Sequence, residues 1–294
     1  MKKIQTKKRV SLVLGSGGAR GMVHVGIIRW LEEHGYAIES IAGCSIGAMV
    51  GGFYAAGKLE AYAEWMCSLD TFSMIKLLDL KGAGGLVSGS RLMEEMEKLF
   101  GDVNIEELNI KYTAVASDIE DEKEIWISEG SLLNAIRASI SLPLFFTPFE
   151  YKGRKLVDGG VLNPVPIAPT FDDHTDLTIA VNLGAKAQKD LNIKHNESEK
   201  SRVVTLIGEY FGDIKLPSFL SQEDGIYRVA NNSFDSMQGT IARMKLATYP
   251  PDIEIAVPRN LCGTLEFNIS REIIEYGYNL CEEIMQEEER KRAL

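Results

Sequence analysis

Apolar positions along this chain change their period several times, and each change marks an element. Val10-Ser11-Leu12-Val13-Leu14 is a short continuous apolar run, the pattern of a buried strand, and it ends in a glycine-rich stretch. Val23, Ile27, Trp30 and Leu31 then recur at helical spacing, with Gly35 placed to stop the helix. Ala37-Ile38-Glu39-Ser40-Ile41-Ala42 returns to a strand pattern, and residues 48–57 are apolar, small and helical. Residues 10–57 therefore read strand, loop, helix, strand, turn, helix. That order predicts parallel strands joined by a right-handed crossover.

Further along, residues 59–78 read as one mostly apolar helix, and a glycine-rich loop at 81–89 leads to a helix over 91–100 capped by Ser90. Residues 112–117 and 124–128 read as a strand pair around an acidic turn. A small-residue helix over 131–139 breaks at Leu142-Pro143, and a hairpin around Lys152-Gly153-Arg154 delivers Leu156-Val157-Asp158-Gly159-Gly160. A buried strand follows at 177–183, then a polar connection at 185–200 and helical patterns at 203–210 and 226–246. Residues 253–257 read as a last strand, and Ser270 caps a final helix to about 289. There is no internal repeat and no low-complexity tract. The expectation is a single domain over 1–294, with its catalytic region at 10–170 and a mainly helical part of the same domain at 200–294.

Charge and composition narrow the class. The net charge of −10 argues against a nucleic-acid surface. Lys2, Lys3, Lys7, Lys8 and Arg9 make the start basic, which suits either contact with anionic lipid or plain solvation. The longest apolar run, 48–57, is far short of the roughly 20 residues of a membrane span, and no secretory signal pattern is visible. Cys44, Cys67, Cys262 and Cys281 show neither metal-type spacing nor a disulfide framework. These features predict a reducing, cytoplasmic compartment.

The candidate chemistry lies in three segments. Gly43-Cys44-Ser45-Ile46-Gly47 sits at a strand-to-helix junction, compatible with a strained nucleophilic serine or with a plain serine N-cap. Gly15-Ser16-Gly17-Gly18-Ala19-Arg20-Gly21 fits a dinucleotide fingerprint poorly, because Ser16 stands at its first glycine position and Gly43 where an acidic residue is expected. Its successive N–H groups suit an oxyanion hole instead, and Arg20 suits either a nearby anion such as a phosphate or ordinary surface exposure. Asp158-Gly159-Gly160 places a carboxylate where glycines allow close backbone approach. Only His174 and His195 follow Asp158, both in polar surroundings, and His24 reads as a structural residue of the first helix. A Ser–Asp dyad thus needs the fewest assumptions.

In this order and spacing the three segments resemble the bacterial patatin-like phospholipases. The flanks Arg20-Gly21-Met22-Val23-His24-Val25-Gly26-Ile27, Ser141-Leu142-Pro143 and Val161-Leu162-Asn163-Pro164-Val165-Pro166 are similar as well, so the resemblance covers about 10–170. It implies a three-layer α/β/α fold with a mostly parallel central sheet, and acyl-ester hydrolysis without metal or cofactor. By position it implies Ser45 as nucleophile, Asp158 as base, Gly17 and Gly18 as oxyanion donors, and Arg20 beside the substrate phosphate or supporting the loop. The implied partners are phospholipid, lysophospholipid or another fatty acyl ester, with peripheral contact at the inner face of a membrane. Two positions depart from the commoner pattern: Ser16 replaces a glycine and Cys44 stands where threonine is frequent.

Two apolar stretches are candidate acyl-chain walls, with ordinary core packing as the alternative for both. These are 142–149, with three phenylalanines, and 203–220, with Tyr210, Phe211, Leu216 and Phe219 as a candidate lid. A different class of function, a regulatory or scaffold protein of the same fold, would use the acidic face of the final helix at Glu282, Glu283, Glu287, Glu288 and Glu289.

Overall fold

The computed structural model describes residues 7–77, 87–143, 145–189, 191 and 225–293. The candidate lid at 203–220 and the apolar run at 203–210 lie outside the described residues. The apolar runs pair into one eight-stranded sheet. Its strands are β1 (Lys8–Leu14), β2 (Tyr36–Cys44), β3 (Lys111–Asp118), β4 (Lys123–Ile127), β5 (Phe149–Tyr151), β6 (Arg154–Asp158), β7 (Leu177–Ala185) and β8 (Ile253–Pro258). The hydrogen-bonded path is β5-β6-β3-β2-β1-β7-β8, with β4 also on β3. The pairs β1–β2, β1–β7, β2–β3 and β7–β8 are parallel, whereas β3–β4, β3–β6 and β5–β6 are antiparallel.

The central strands are mostly apolar and buried on both sides because helices cover both faces. Val10, Leu12 and Leu14 of β1 join a large core with α1 (Val23–Glu33), α2 (Ile46–Ala55), α3 (Leu59–Ser68) and α8 (Ser270–Ala293). Val13 points the other way, packing with Ala180 against Ala242 and Leu246 of α7 (Gly225–Thr248). This alternation is the two-residue period of a strand, and it divides the molecule into three layers, α/β/α. β8 and α8, from the last part of the chain, pair with β7 and pack on α1.

Three local readings need correction. The helix expected over 59–78 is two helices, α3 and α4 (Thr71–Leu77), because Asp70 Oδ1 accepts the Ser73 N–H at 2.8 Å and starts a new helix. Ser90 is the first residue of α5 (Ser90–Phe100) and not its cap; Gly89 holds the cap position with φ 73°. Ser270 begins α8, but its hydroxyl donates to the Phe267 carbonyl at 2.5 Å and does not accept a helix N–H. In α6 (Leu132–Ser139), by contrast, Ser131 is an N-cap whose hydroxyl accepts from Asn134 N–H at 3.0 Å.

The pairing along β3 brings two strand ends together. Residues Lys111–Val115 of β3 pair with β2, Ala114–Asp118 with β4, and Ala116–Asp118 with β6. A strand has two edges, so β2 and β6 lie end to end along the edge opposite β4.

Candidate active site

Ser45 is the single residue between β2 and α2, held at φ 56° and ψ −125°. A positive φ is uncommon for a side-chain-bearing residue and is found where the surroundings over-determine it. The surroundings here are close backbone crossings. A Cβ on Gly43 would lie 2.6 Å from Ala48 Cα, and one on Gly47 would run into the Leu14 carbonyl oxygen. The strained turn is tied down by its own N–H, which donates to Ser139 Oγ at 2.8 Å. Ser139 in turn donates to the Val115 carbonyl at 2.7 Å.

Asp158 is the last residue of β6 and is fully buried. Its N–H donates to the Ser141 carbonyl at 2.9 Å. Oδ1 accepts the Gly160 N–H at 2.7 Å and faces the Cys44 thiol, a weak donor, at 4.0 Å. Oδ2 is buried and closes no hydrogen bond. Burial pushes the Asp158 pKa up to about 6, with the Ser45 hydroxyl and the Gly160 N–H pulling against it. The structure thus brings Ser45 and Asp158 together, although Oδ2 remains open.

The glycine loop crosses beside them. Gly15, Ser16 and Ala19 spend their N–H groups on the carbonyls of Val181, Pro164 and Thr264. Among the described residues, none accepts from the N–H of Gly17 or Gly18. Arg20 is buried, which removes the surface reading: Nε donates to the Gly17 carbonyl at 3.0 Å and Nη1 to the Arg259 carbonyl at 2.8 Å. Its Nη2 lies 3.5 Å from Asp235 of α7. In a trans peptide the C=O and N–H point in opposite directions. Arg20 holds the Gly17 carbonyl, so the Gly18 N–H is turned away from Arg20, and Gly18 lines the cavity that opens at Ser45. Arg20 therefore supports the loop.

His24 lies beneath the same loop. Its Nε2 donates to the Gly15 carbonyl at 3.0 Å, and burial pushes its pKa down to about 4, so the ring is neutral. No described histidine hydrogen-bonds to Ser45 or Asp158; His174 is exposed, and His195 lies outside the described residues.

Ser45 opens into an apolar cavity of ≈ 120 Å³. Leu142, Phe145 and Phe146 form one wall. Phe149 does not; it packs with Phe146 on the Arg137 guanidinium. The lining also includes Met49, Met66, Met74 and Met96, which come from four different helices. Neither these methionines nor Ser139 stood out in the sequence, because each reads as ordinary helix packing.

A patatin-like phospholipase profile matches residues 12–171. The chain belongs to the patatin-like phospholipase family. An NTE family protein of Mycobacterium tuberculosis is 35% identical over 95% of this chain and 91% of its own length. A lysophospholipase of Neurospora crassa is 30% identical over 95% of this chain, which corresponds to 18% of that protein. The fold is shared with VipD from Legionella pneumophila, at a TM-score of 0.55 and 14% identity, covering 96% of this chain and 67% of that one. Membership places the chain among lipid-hydrolysing esterases. Among the described residues, no helix is long and apolar enough to cross a membrane.

Ser16 and Cys44 lie near each other beside Asp158. The Ser16 hydroxyl interacts with the Cys44 thiol, whose pKa burial raises strongly. Cys44 is therefore an inert, protonated thiol against Asp158.

Proposed function

We propose that this patatin-like chain hydrolyses fatty acyl esters of the phospholipid or lysophospholipid type through a Ser45–Asp158 dyad. The observation that carries the reading is that the strained Ser45 turn, which lines an apolar cavity, stands beside the buried carboxylate of Asp158. Ser45 Oγ attacks the acyl carbonyl as Asp158 takes its proton. The oxyanion rests on the N–H groups of Gly17 and Gly18, where preorganised donors are worth most in a dry site. The alcohol leaves with the proton from Asp158. Water then attacks the acyl-enzyme, with Asp158 again accepting the proton; as the acyl–oxygen bond breaks, Asp158 returns that proton to Ser45 Oγ and the fatty acid departs. The acyl chain lies between the phenylalanine and methionine walls. No step calls on a metal or cofactor. The substrate is membrane lipid met at the bilayer surface on the cytoplasmic side.

The test is labelling by a fluorophosphonate probe together with hydrolysis of a short-chain aryl ester. Ser45→Ala and Asp158→Asn, both folded, should lose both signals. Full activity in Ser45→Ala would overturn the reading.

A further inference from the structure

The end of α6 touches both halves of the dyad. The Ser139 hydroxyl accepts the Ser45 N–H at 2.8 Å, and the Ser141 carbonyl accepts the Asp158 N–H at 2.9 Å. Ile140, between them, lines the cavity. We infer that Ser139 is a positioning residue for the nucleophile, within a three-residue clamp that sets Ser45 against Asp158. The inference rests on the reading of Ser45 as nucleophile.

The geometry favours positioning over simple filling of space. Ser139 is fully buried, and its hydroxyl is polarised from both sides. It donates to the Val115 carbonyl at 2.7 Å, which turns its lone pair toward Ser45 N–H. Val115 is also the residue of β3 that pairs with Cys44. The Ser139 hydroxyl thus fixes the turn to the same strand that pairs with the end of β6 at Asp158. A serine at φ 56° holds a strained conformation only while its surroundings insist on it. Without the hydroxyl the Ser45 N–H is buried and unpaired, and the turn can relax by rotating that peptide. The rotation displaces Oγ, and displacements near 1 Å are enough to cost about 10²-fold in rate. Ser141 is braced separately, since its hydroxyl donates to the Arg137 carbonyl at 2.8 Å and accepts from the Arg137 guanidinium.

The experiment compares wild type, Ser139→Ala, Ser139→Cys and Ser45→Ala in the full chain. It measures kcat and KM on a soluble 4-nitrophenyl ester and the rate of fluorophosphonate labelling. Ser139→Ala is expected to lose about 10- to 100-fold in kcat and in labelling rate. KM should stay within about twofold, because the cavity walls are intact, so the defect should fall on kcat alone. Ser139→Cys, which keeps a weak hydrogen-bonding group, should fall between the two, and it carries the test if Ser139→Ala does not fold. Wild-type kcat and labelling in the Ser139 variants, beside an inactive Ser45→Ala, would overturn this role alone. Full activity in Ser45→Ala would remove the nucleophile reading, and this role with it.

Discussion

Cys44 and Asp158 occupy consecutive rungs on one edge of β3: Cys44 pairs with Val115 and Asp158 with Ala116. β2 runs parallel to β3 and β6 antiparallel, so their carboxyl ends meet. Ser45 is the next residue after Cys44, and Asp158 is the last of β6. A register slip of one residue in β6 would turn the carboxylate to the opposite face of the sheet. The closeness of Ser45 and Asp158 is therefore a property of sheet pairing, and the two lie where α/β sheets generally bind ligands, at the carboxyl ends of strands.

Asp158→Asn should cost about 10²–10⁴ in kcat, the usual share of a general base, while raising stability at pH 8. The native carboxyl titrates near 6 against an ordinary value of 3.8. A raised native pKa means stability that is present below about pH 4 and is lost as pH rises through 6. The neutral amide escapes that loss. Thermal unfolding at pH 8 should favour the variant by about 1–3 kcal/mol, with the gap closing toward pH 4. A constant gap across this range would show that the Asp158 charge is not under strain.

The same carboxylate sets the acid limb of the rate profile. In wild type, kcat/KM should rise through an apparent pKa of about 6 as Asp158 ionises. Cys44 offers a weak S–H donor to Oδ1 at 4.0 Å, which favours the anion. Cys44→Ala removes that donor and should move the limb up by about half a pH unit, whereas Cys44→Ser supplies a stronger donor and should move it down. Identical limbs in all three proteins would exclude Cys44 from any influence on the base.

The parts of this site that were legible in sequence are those where the backbone itself demands a residue type. Gly47 and Gly159 each face a carbonyl oxygen that a Cβ would strike, that of Leu14 and of Val115 respectively, so short glycine motifs around Ser45 and Asp158 could be read directly. Side chains that act through tertiary pairing were silent. Ser139 ends a helix of small residues, and nothing local separates it from Ser131, which only caps that helix. The pairing of β6 beyond the end of β2 is long-range and leaves no periodic trace. Arg20 remained open between phosphate, loop and surface because its acceptors come from Gly17, Asp235 and Arg259, far apart in the chain. The break between α3 and α4 was hidden by continuous apolar spacing, although Asp70 and Ser73 stood at capping distance.

Gly18→Ala tests the oxyanion loop. Gly18 has φ +57°, and a Cβ there would meet the Thr264 carbonyl oxygen, which already accepts the Ala19 N–H at 2.8 Å. The loop and Thr264 must then separate, taking the Gly18 N–H out of line. The expected loss in kcat is about 10²–10³-fold, the scale of one lost oxyanion donor. Gly57→Ala is the control: its φ is +68°, but no atom lies within 4 Å of the added carbon. It should lower stability by about 1 kcal/mol and leave kcat alone. Equal kcat losses in both would mean that general backbone strain, and not the loop, is being measured.

Leu92→Trp tests whether the cavity holds the acyl chain. Leu92 is half-buried on α5, lines the cavity and packs on the Phe145–Phe146 cluster. An indole there takes up space in the cavity. A chain that no longer buries two methylenes loses about 1.6 kcal/mol, at roughly 0.8 kcal/mol each. Hydrolysis of a sixteen-carbon ester should therefore fall about tenfold relative to a four-carbon ester, whose rate stays near wild type. The methionine wall blunts the effect where it can, since unbranched thioethers adapt to a changed outline. Replacing Met96, which is fully buried one turn further along the same helix and lines the same cavity, with leucine in the Leu92→Trp background removes that adaptability and should deepen the long-chain defect. Parallel losses on both esters would mean that the chain runs elsewhere.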